Sequence, residues 1–582
     1  MKVKIILGIV LTTPIAMAQF NDFSADIIRN EQRNEQLRNQ INPQVDALSD
    51  SPQKAVPEKQ PVLSDLEESV CFPIDNIHLK GEWEQTFQPY FKQALNALKF
   101  SPGDCIGLNG INLIMAKAQN NMISAGYVTT RVLVEPQDLT QRELNLTLMA
   151  GKLRAIRVNS DNLAETRAHR VVLTTNVFPM ESGDLLNLRD IEQGLENLER
   201  VPTATATMEI EPGDEPNESD LIVTWQQRAV PYRLTLSVDD SGSRETGKNQ
   251  GSITFSGDSI FGYSELIYLS LNRDLGHKSR GSDSSGKKVI GGTNGYAFHF
   301  SVPYKDWMFT VNASKYHYNQ AVAGSFQIYN YNGDSKAADI SISRLLYRDS
   351  YRKTTASLKG WQRSSRSYID DAELTIQRRK VVGWQLGLDH REHIGRSVLD
   401  LGLSYKRGTG AAHALRAPEQ DFGEGTSRVK IFLLDLNLGV PFNIGQQNFY
   451  YNSAFHGQWS RTPLTSQDRI SIGGRYTVRG FDGDMTLMAE KGFYLRNDLA
   501  WYYKPAHQFY VALDGGYVSG PSSKWLLGKE LVGAAIGFKG QFDIGGKLSY
   551  DLFAGKALKK PEHFKTKKIA HIELLLCCQK KN

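Results

Sequence analysis

Few residues in this chain have types and spacings that could do chemistry. Asp389-His390-Arg391-Glu392-His393 gathers two imidazoles, two carboxylates and a guanidinium within five positions. Such a set could hold a metal or relay a proton. Its neighbours Trp384, Leu386 and Leu388 alternate as a strand, so the polar run is expected to form a turn. Asp239-Asp240 reads as a strand end. HExxH, CxxC and any zinc-ligand spacing are absent, as are a nucleophile elbow and a phosphate loop. No catalytic, cofactor-binding or metal-binding residue is expected, no cofactor is implied, and the chain is not expected to be an enzyme.

The remaining candidate is a single charge. Arg479 lies in SIGGRYTVRGFDGD, residues 471–484, where Gly473, Gly474, Gly480 and Gly483 let the backbone turn tightly. Its planar fork suits a carboxylate, and an unpaired charge away from bulk water is costly. The residues alone leave open whether Arg479 is paired or solvated in a wet interior.

The elements that would position it follow from composition and pattern. The chain has 582 residues, 40% hydrophobic and 23% charged, which excludes wholesale disorder. Sixty-eight basic against 63 acidic residues leave a net charge of +5, too weak to argue for nucleic acid. No run of 18 apolar residues follows the N-terminus, which excludes a helical membrane protein. The 24 Tyr, 25 Phe, 8 Trp and 50 Gly suit an all-β chain, including a transmembrane barrel.

Lys2 and Lys4, the apolar stretch Ile5–Ile15 and Ala16-Met17-Ala18 follow one another as the three parts of a signal peptide. Residues 1–18 are therefore expected to be removed, with cleavage between Ala18 and Gln19. Export to an oxidising compartment favours a disulfide between Cys71 and Cys105, which fall in one small domain. Its loop would contribute roughly 3–4 kcal/mol. Cys577 and Cys578 are adjacent near the end.

Residues 20–41 have polar surfaces and a thin apolar stripe, Ile27, Ile28, Leu37 and Ile41. They read equally as a solvated tail or as a helix docked inside something polar. Four prolines make residues 42–68 an extended, mobile linker. A repeat with a period near 80 follows: Gly103-Asp104 recurs as Gly183-Asp184, and Ile111 as Ile191. A helix-like stretch follows in each copy, INLIMAKAQNNMISAG and IEQGLENLER, and each closes on a β-rich run, LNLTL and DLIVTW. Two copies of a small α+β domain are expected. From about residue 228 the period becomes two. Tyr232, Leu234, Leu236 and Val238 alternate with Arg233, Thr235 and Ser237, and the pattern recurs to the C-terminus with aromatics such as Trp501-Tyr502-Tyr503 at strand ends. Strands with one apolar and one polar face, repeated over this length behind a signal peptide, point to an outer-membrane barrel.

Three blocks carry a resemblance. SIGGRYTVRGFDGD, GFYLRNDLAWYY (492–503) and ALDGGY (512–517), behind a paired repeat, resemble the two-partner secretion transporters of the outer membrane, the TpsB or hemolysin-activator type that includes ShlB, FhaC, HecB and CdiB-like members. In that family Val-Arg-Gly-Phe/Tyr tips a loop folded back into the barrel, and an Asp on a following strand pairs with its Arg. The resemblance places the loop motif at Val478, Arg479, Gly480 and Phe481, and its partner at Asp514, with Gly516 two positions on. Ala512 stands where many members have Phe or Gly. Phe509, Val511 and Leu513 share one strand face, so Asp514 is expected to face the lumen. The chain also departs from the family's terminal aromatic residue, ending IAHIELLLCCQKKN, where Ile572, Leu574 and Leu576 are expected to face lipid.

The resemblance implies a mainly β protein: an N-terminal plug helix (19–41), the linker, POTRA domains at 69–150 and 151–227, and a sixteen-stranded antiparallel transmembrane barrel at 228–582. Sixteen strands leave about 22 residues each, of which ~10 would span. It also implies a function. POTRA domains in the periplasm of a Gram-negative cell would recognise an unfolded exported partner, a large β-helical adhesin, hemagglutinin, hemolysin or contact-dependent inhibition toxin. The barrel would pass it to the surface without ATP. The implied partners are that cargo, with its N-terminal secretion domain, outer-membrane lipid and the barrel-assembly machinery; no nucleic acid is implied, and the protein would be a monomer. The alternative is an assembly or insertase factor of the same superfamily.

Overall fold

The computed structural model describes residues 14–42, 62–159 and 176–578, apart from positions 277, 284, 325 and 568. Residues 1–13, most of the linker and the last four residues lie outside this set. Four helices occur among the described residues: α1 (Pro14–Ile41), α2 (Glu84–Ala97), α3 (Leu108–Ser124) and α4 (Leu188–Glu199). Helix α1 runs through the position at which cleavage after Ala18 is expected.

The two repeats fold alike. In the first, strand Asn76–Lys80 lies parallel to Glu143–Met149, which pairs on its other edge with Arg131–Val134. Phe87 and Phe91 of α2 and Ile114, Ala118 and Met122 of α3 pack on Leu144, Leu146 and Leu148 of that sheet. In the second, Lys152–Asn159, Glu218–Gln227 and Ala204–Pro212 form the sheet, and Ile191 and Leu198 of α4 cover it. The shared Gly-Asp pair has a local cause. Gly103 and Gly183 sit at φ +94° and +93°, and each donates its N–H over 2.8 Å, to Ile74 and Leu153 respectively. Asp104 and Asp184 then accept the N–H of the residue three before, Ser101 at 2.8 Å and Glu181 at 2.7 Å. Cys71 and Cys105 are bonded across the short pair Cys71–Ile74 and Asp104–Gly107, with Cα atoms 5.2 Å apart.

Residues 62–68, expected in the extended linker, instead pack on the first domain. Glu68 accepts the N–H groups of Gly107, Asn109 and Gly110 at 3.2, 3.3 and 2.6 Å. The free amides and positive end of α3 attract this carboxylate and fix the segment.

Sixteen antiparallel strands close a barrel: β1 (Tyr232–Asp239), β2 (Asn249–Asp258), β3 (Leu266–Gly276), β4 (Gly292–Tyr304), β5 (Trp307–Ala323), β6 (Ile328–Arg348), β7 (Arg352–Ile369), β8 (Arg379–Ile394), β9 (Ser397–Thr409), β10 (Lys430–Ile444), β11 (Gln447–Ser460), β12 (Lys491–Lys504), β13 (His507–Ser519), β14 (Glu530–Asp543), β15 (Lys547–Lys559) and β16 (Ile569–Cys578). In β1, Tyr232, Leu236 and Val238 are exposed outward while Arg233, Thr235, Ser237 and Asp239 are buried inward. That is the alternation of a wall between lipid and a polar interior. Strand β16 carries Ile572 and Leu574 outward without a terminal aromatic residue and closes on β1, pairing Glu573–Cys578 with Leu234–Asp239.

A second expectation fails. Asp389–His393 is not a turn but the continuation of β8, which runs to Ile394 before the turn at Gly395 and Arg396. The backbone ladder continues because the polar side chains find partners on the flanking strands: His390 lies 2.8 Å from the Thr354 hydroxyl, and Arg391 donates to Asp400 at 2.6 Å.

Helix α1 lies in the lumen. Ile27 packs on Tyr316, Tyr318 and Tyr331, and Leu37 and Ile41 on Tyr268. Its polar residues bond to two sides of the wall, β7 and the β1–β16 seam: Glu31 with Arg363 at 3.2 Å, Arg33 with Asp239 at 3.0 Å, and Gln36 with Glu573 at 2.9 Å. A polar helix unstable alone in water thus finds polar partners for Glu31, Arg33 and Gln36 in a polar interior.

Candidate functional site

Residues 461–490 join β11 to β12 and fold into the barrel. A short hairpin, Ile470–Ile472 against Leu487–Ala489, stiffens the neck. Val478 and Phe481 are fully buried with these residues against Val518 and Leu531 of the wall and Phe564 of the β15–β16 connection, and the Phe481 ring meets Phe564 edge-on at 5.7 Å. Apolar residues on both sides of Arg479 therefore seat the tip and aim the guanidinium.

Arg479 and Asp514 are 3% and 1% exposed, so the pair excludes bulk water. The Arg479 backbone N–H donates to Asp514 Oδ2 at 2.9 Å, Nε to the same oxygen at 2.7 Å, and Nη2 to Oδ1 at 2.7 Å. Both carboxylate oxygens face the fork, the geometry for which Arg differs from Lys. Gly516 lies beneath Val478; a Cβ there would stand 3.0 Å from the Val478 side chain.

The structure adds groups that the sequence reading missed. Asp498 of β12 accepts Nη1 of Arg479 at 2.5 Å. Its signal was present in the alternation of Tyr494, Arg496, Asp498 and Ala500 against Phe493, Leu495, Leu499 and Trp501. Arg475, on the same loop, donates to Asp240 at 3.1 Å and to Glu573 at 2.9 Å. It thus touches the residue after β1 and a residue of β16, across the line where the barrel closes. Asp240, read only as a strand end, also accepts the Ile572 N–H at 3.1 Å. Helix α1 joins the group through Arg33 and Gln36, and Arg29 donates to the Gly483 carbonyl in the loop.

The second small domain is fastened to the opposite end of the barrel. Arg348, at the end of β6, pairs with Glu192 at 3.2 Å and Glu196 at 2.9 Å of α4. Arg200 donates to the Ser264 carbonyl at 2.6 Å. Burial first, and then the charges of Asp306 and Asp184, push the Asp190 carboxyl up to about 6, against the pull of Arg348. A cavity of about 800 Å³ opens here, lined among others by Asn39, Asn42, Arg200, Trp307, Phe455 and Arg496. It leads from the domain to the end of α1. Among the described residues, no group of three or more His, Cys, Asp and Glu is placed to hold a metal ion. The arrangement offers charge pairing.

Residues 217–540 match the haemolysin secretion/activation protein family ShlB/FhaC/HecB. The chain belongs to that family. Ahead of this match, residues 72–151 match the ShlB-type POTRA domain and 152–212 a POTRA domain. The chain is 34% identical over 519 residues to the outer membrane transporter CdiB-2 of Burkholderia pseudomallei, covering 88% of this chain and 83% of that protein. It is 26% identical over 436 residues to the hemolysin transporter protein ShlB of Serratia marcescens, covering 74% and 72%. Among solved structures, CdiB from Acinetobacter baumannii matches with a TM-score of 0.79 at 26% identity, over 96% of this chain and 99% of that one. As a family member, the chain is an outer-membrane transporter whose POTRA domains lie in the periplasm.

Proposed function

We propose that this transporter takes an unfolded exported protein from its POTRA domains through the barrel to the cell surface. The Arg479–Asp514 pair holds the loop in its working position, and residues 19–41 form a plug that leaves the lumen for transport. The names of its relatives, CdiB and hemolysin transporters, direct the cargo reading to a large β-helical toxin, hemolysin or adhesin carrying an N-terminal secretion domain. No nucleotide is used, and the chain acts as a monomer in lipid after insertion by the barrel-assembly machinery, without enzymatic activity. The observation that carries this reading is a lumen occupied by α1 and the inward loop, both held by side-chain contacts rather than by the strand ladder.

Arg479→Ala and Asp514→Ala test it. Breaking one partner of a desolvated pair costs about 3–5 kcal/mol, less where water enters. Surface cargo should be lost while the heat-modifiable barrel persists. Normal secretion by Arg479→Ala at normal barrel levels would overturn the role given to the loop. An assembly factor would instead leave cargo export intact and deplete other barrels.

A further inference from the structure

The recess beneath the loop tip is made of glycines that lie outside the quoted motifs. Gly533 of β14 sits in register opposite Asp514, and Gly555 of β15 lies one strand further. A Cβ on Gly533 would stand 1.9 Å from the Arg479 carbonyl oxygen and 3.4 Å from Gly480 Cα. On Gly555 it would stand 3.0 Å from both N and Cα of Gly480. Gly480 itself has φ +99°, and a Cβ there would meet the Lys556 carbonyl at 2.5 Å. Loop backbone and wall backbone therefore touch with no side chain between them. Glycine weakens a strand interior and marks places where another backbone approaches closely. Gly515, beside Asp514 but outside the recess, has nothing within 4 Å of such a Cβ.

We propose that Gly533 and Gly555 are positioning residues of the transport loop: they set how deeply its tip seats, so that Arg479 reaches Asp514 and Asp498 together. This rests on the reading of the loop given above. A carbon needs about 3.3 Å from a carbonyl oxygen, so alanine at 533 must move Arg479 by roughly 1 Å or more. The Arg479 backbone bond to Asp514, 2.9 Å long, does not survive such a step.

The test uses the full chain in cells, comparing Gly533→Ala and Gly555→Ala with Gly515→Ala. Surface cargo, heat-modifiability of the barrel and trypsin cleavage of the loop on intact cells are measured. Arg475 and Arg479 are 8% and 3% exposed, so the seated loop resists trypsin at these two positions, and cleavage there is what is read, apart from the exposed Arg461 at the loop's start. Gly533→Ala should lower secretion about tenfold or more and open the loop to trypsin with the barrel band unchanged. Gly555→Ala should act in the same direction but less, and Gly515→Ala should do neither. Adding Gly533→Ala to Arg479→Ala should cause no further loss, because both remove one contact. Normal secretion and an uncut loop in Gly533→Ala, with Arg479→Ala defective, would overturn this proposal and leave the loop reading intact. Normal secretion in Arg479→Ala would instead remove that reading. Should Gly533→Ala not fold, Gly555→Ala decides on the same two readouts.

Discussion

Arg479 and Arg475 stand four residues apart on one loop, yet they grip different parts of the barrel. The carboxylates of Arg479, Asp498 and Asp514, lie on β12 and β13, which pair along nearly their whole length from Lys491 to Lys504. The carboxylates of Arg475, Asp240 and Glu573, lie on either side of the closing seam, where β16 pairs β1 only over Glu573–Cys578. Glu573 also accepts Gln36 and Gln40 of α1, and the neighbouring Asp239 holds Arg33. One anchor is bidentate, unshared with the plug and set on a long ladder. The other is divided between two strands and shared with a helix proposed to leave. The first should fix the loop throughout transport; the second should depend on the state of the plug.

The largest effect should come from Arg479→Lys. An ammonium cannot present the fork that meets both Asp514 oxygens and Asp498, so secretion should fall nearly as far as in Arg479→Ala. Arg475→Lys should keep most secretion, since its two contacts are separate single bonds. Equal loss in both would erase the distinction, as read by surface display of cargo.

Next in size, deletion of residues 19–41 should raise ion conductance in planar bilayers while largely sparing secretion. Unchanged conductance would make the helix a passive tail and Arg475 independent of it. The same deletion sharpens a third measurement. Arg475→Ala should lower the temperature at which the folded band converts, and lower it more in the helix-deleted chain, where no Arg33 or Gln36 remains at the seam. A coupling of about 0.5–3 kcal/mol is the expected range for such contacting groups. Strict additivity would separate the loop from the plug.

The smallest effect lies away from both arginines and bounds the comparison. Asp190 binds its proton more tightly in the folded joint, at about 6, than in an unfolded chain, at about 4. Its contribution to stability is present below about 4 and is lost as pH rises through about 6. Protease release of the POTRA pair should be slower at pH 5 than at pH 7.5, and Asp190→Asn should flatten that difference. Seam behaviour should not follow this titration.

Much of the architecture was legible because its signals are local. Period two in Tyr232–Val238 separates a lipid face from a polar face whatever the neighbouring strand is. The Gly-Asp repeat was readable because Gly103 and Gly183 need the same positive φ and Asp104 and Asp184 make the same turn bond. The same reasoning fails at Asp389–His393, where a polar run next to a strand reads as its end although the strand runs on to Ile394. Only the flanking Thr354 and Asp400 reveal that the ladder continues. Residues 62–68 misled in the same way, because the partner of Glu68 is a helix start some forty positions away.

By itself the sequence determined which residues face the lumen, where the chain repeats, and that Arg479 sits between an apolar residue and a glycine at a turn. Alternation, turn chemistry and hydrophobic patterning act over a few residues and can be read in one dimension. Barrel closure decided the rest. It brought Asp240 beside Ile572 and Glu573, set Asp498 next to Asp514 as a second acceptor, and laid Gly533 and Gly555 under the loop. Register across strands and the depth of a loop depend on how sixteen strands stagger around a circle, and no local pattern in the chain carries that stagger.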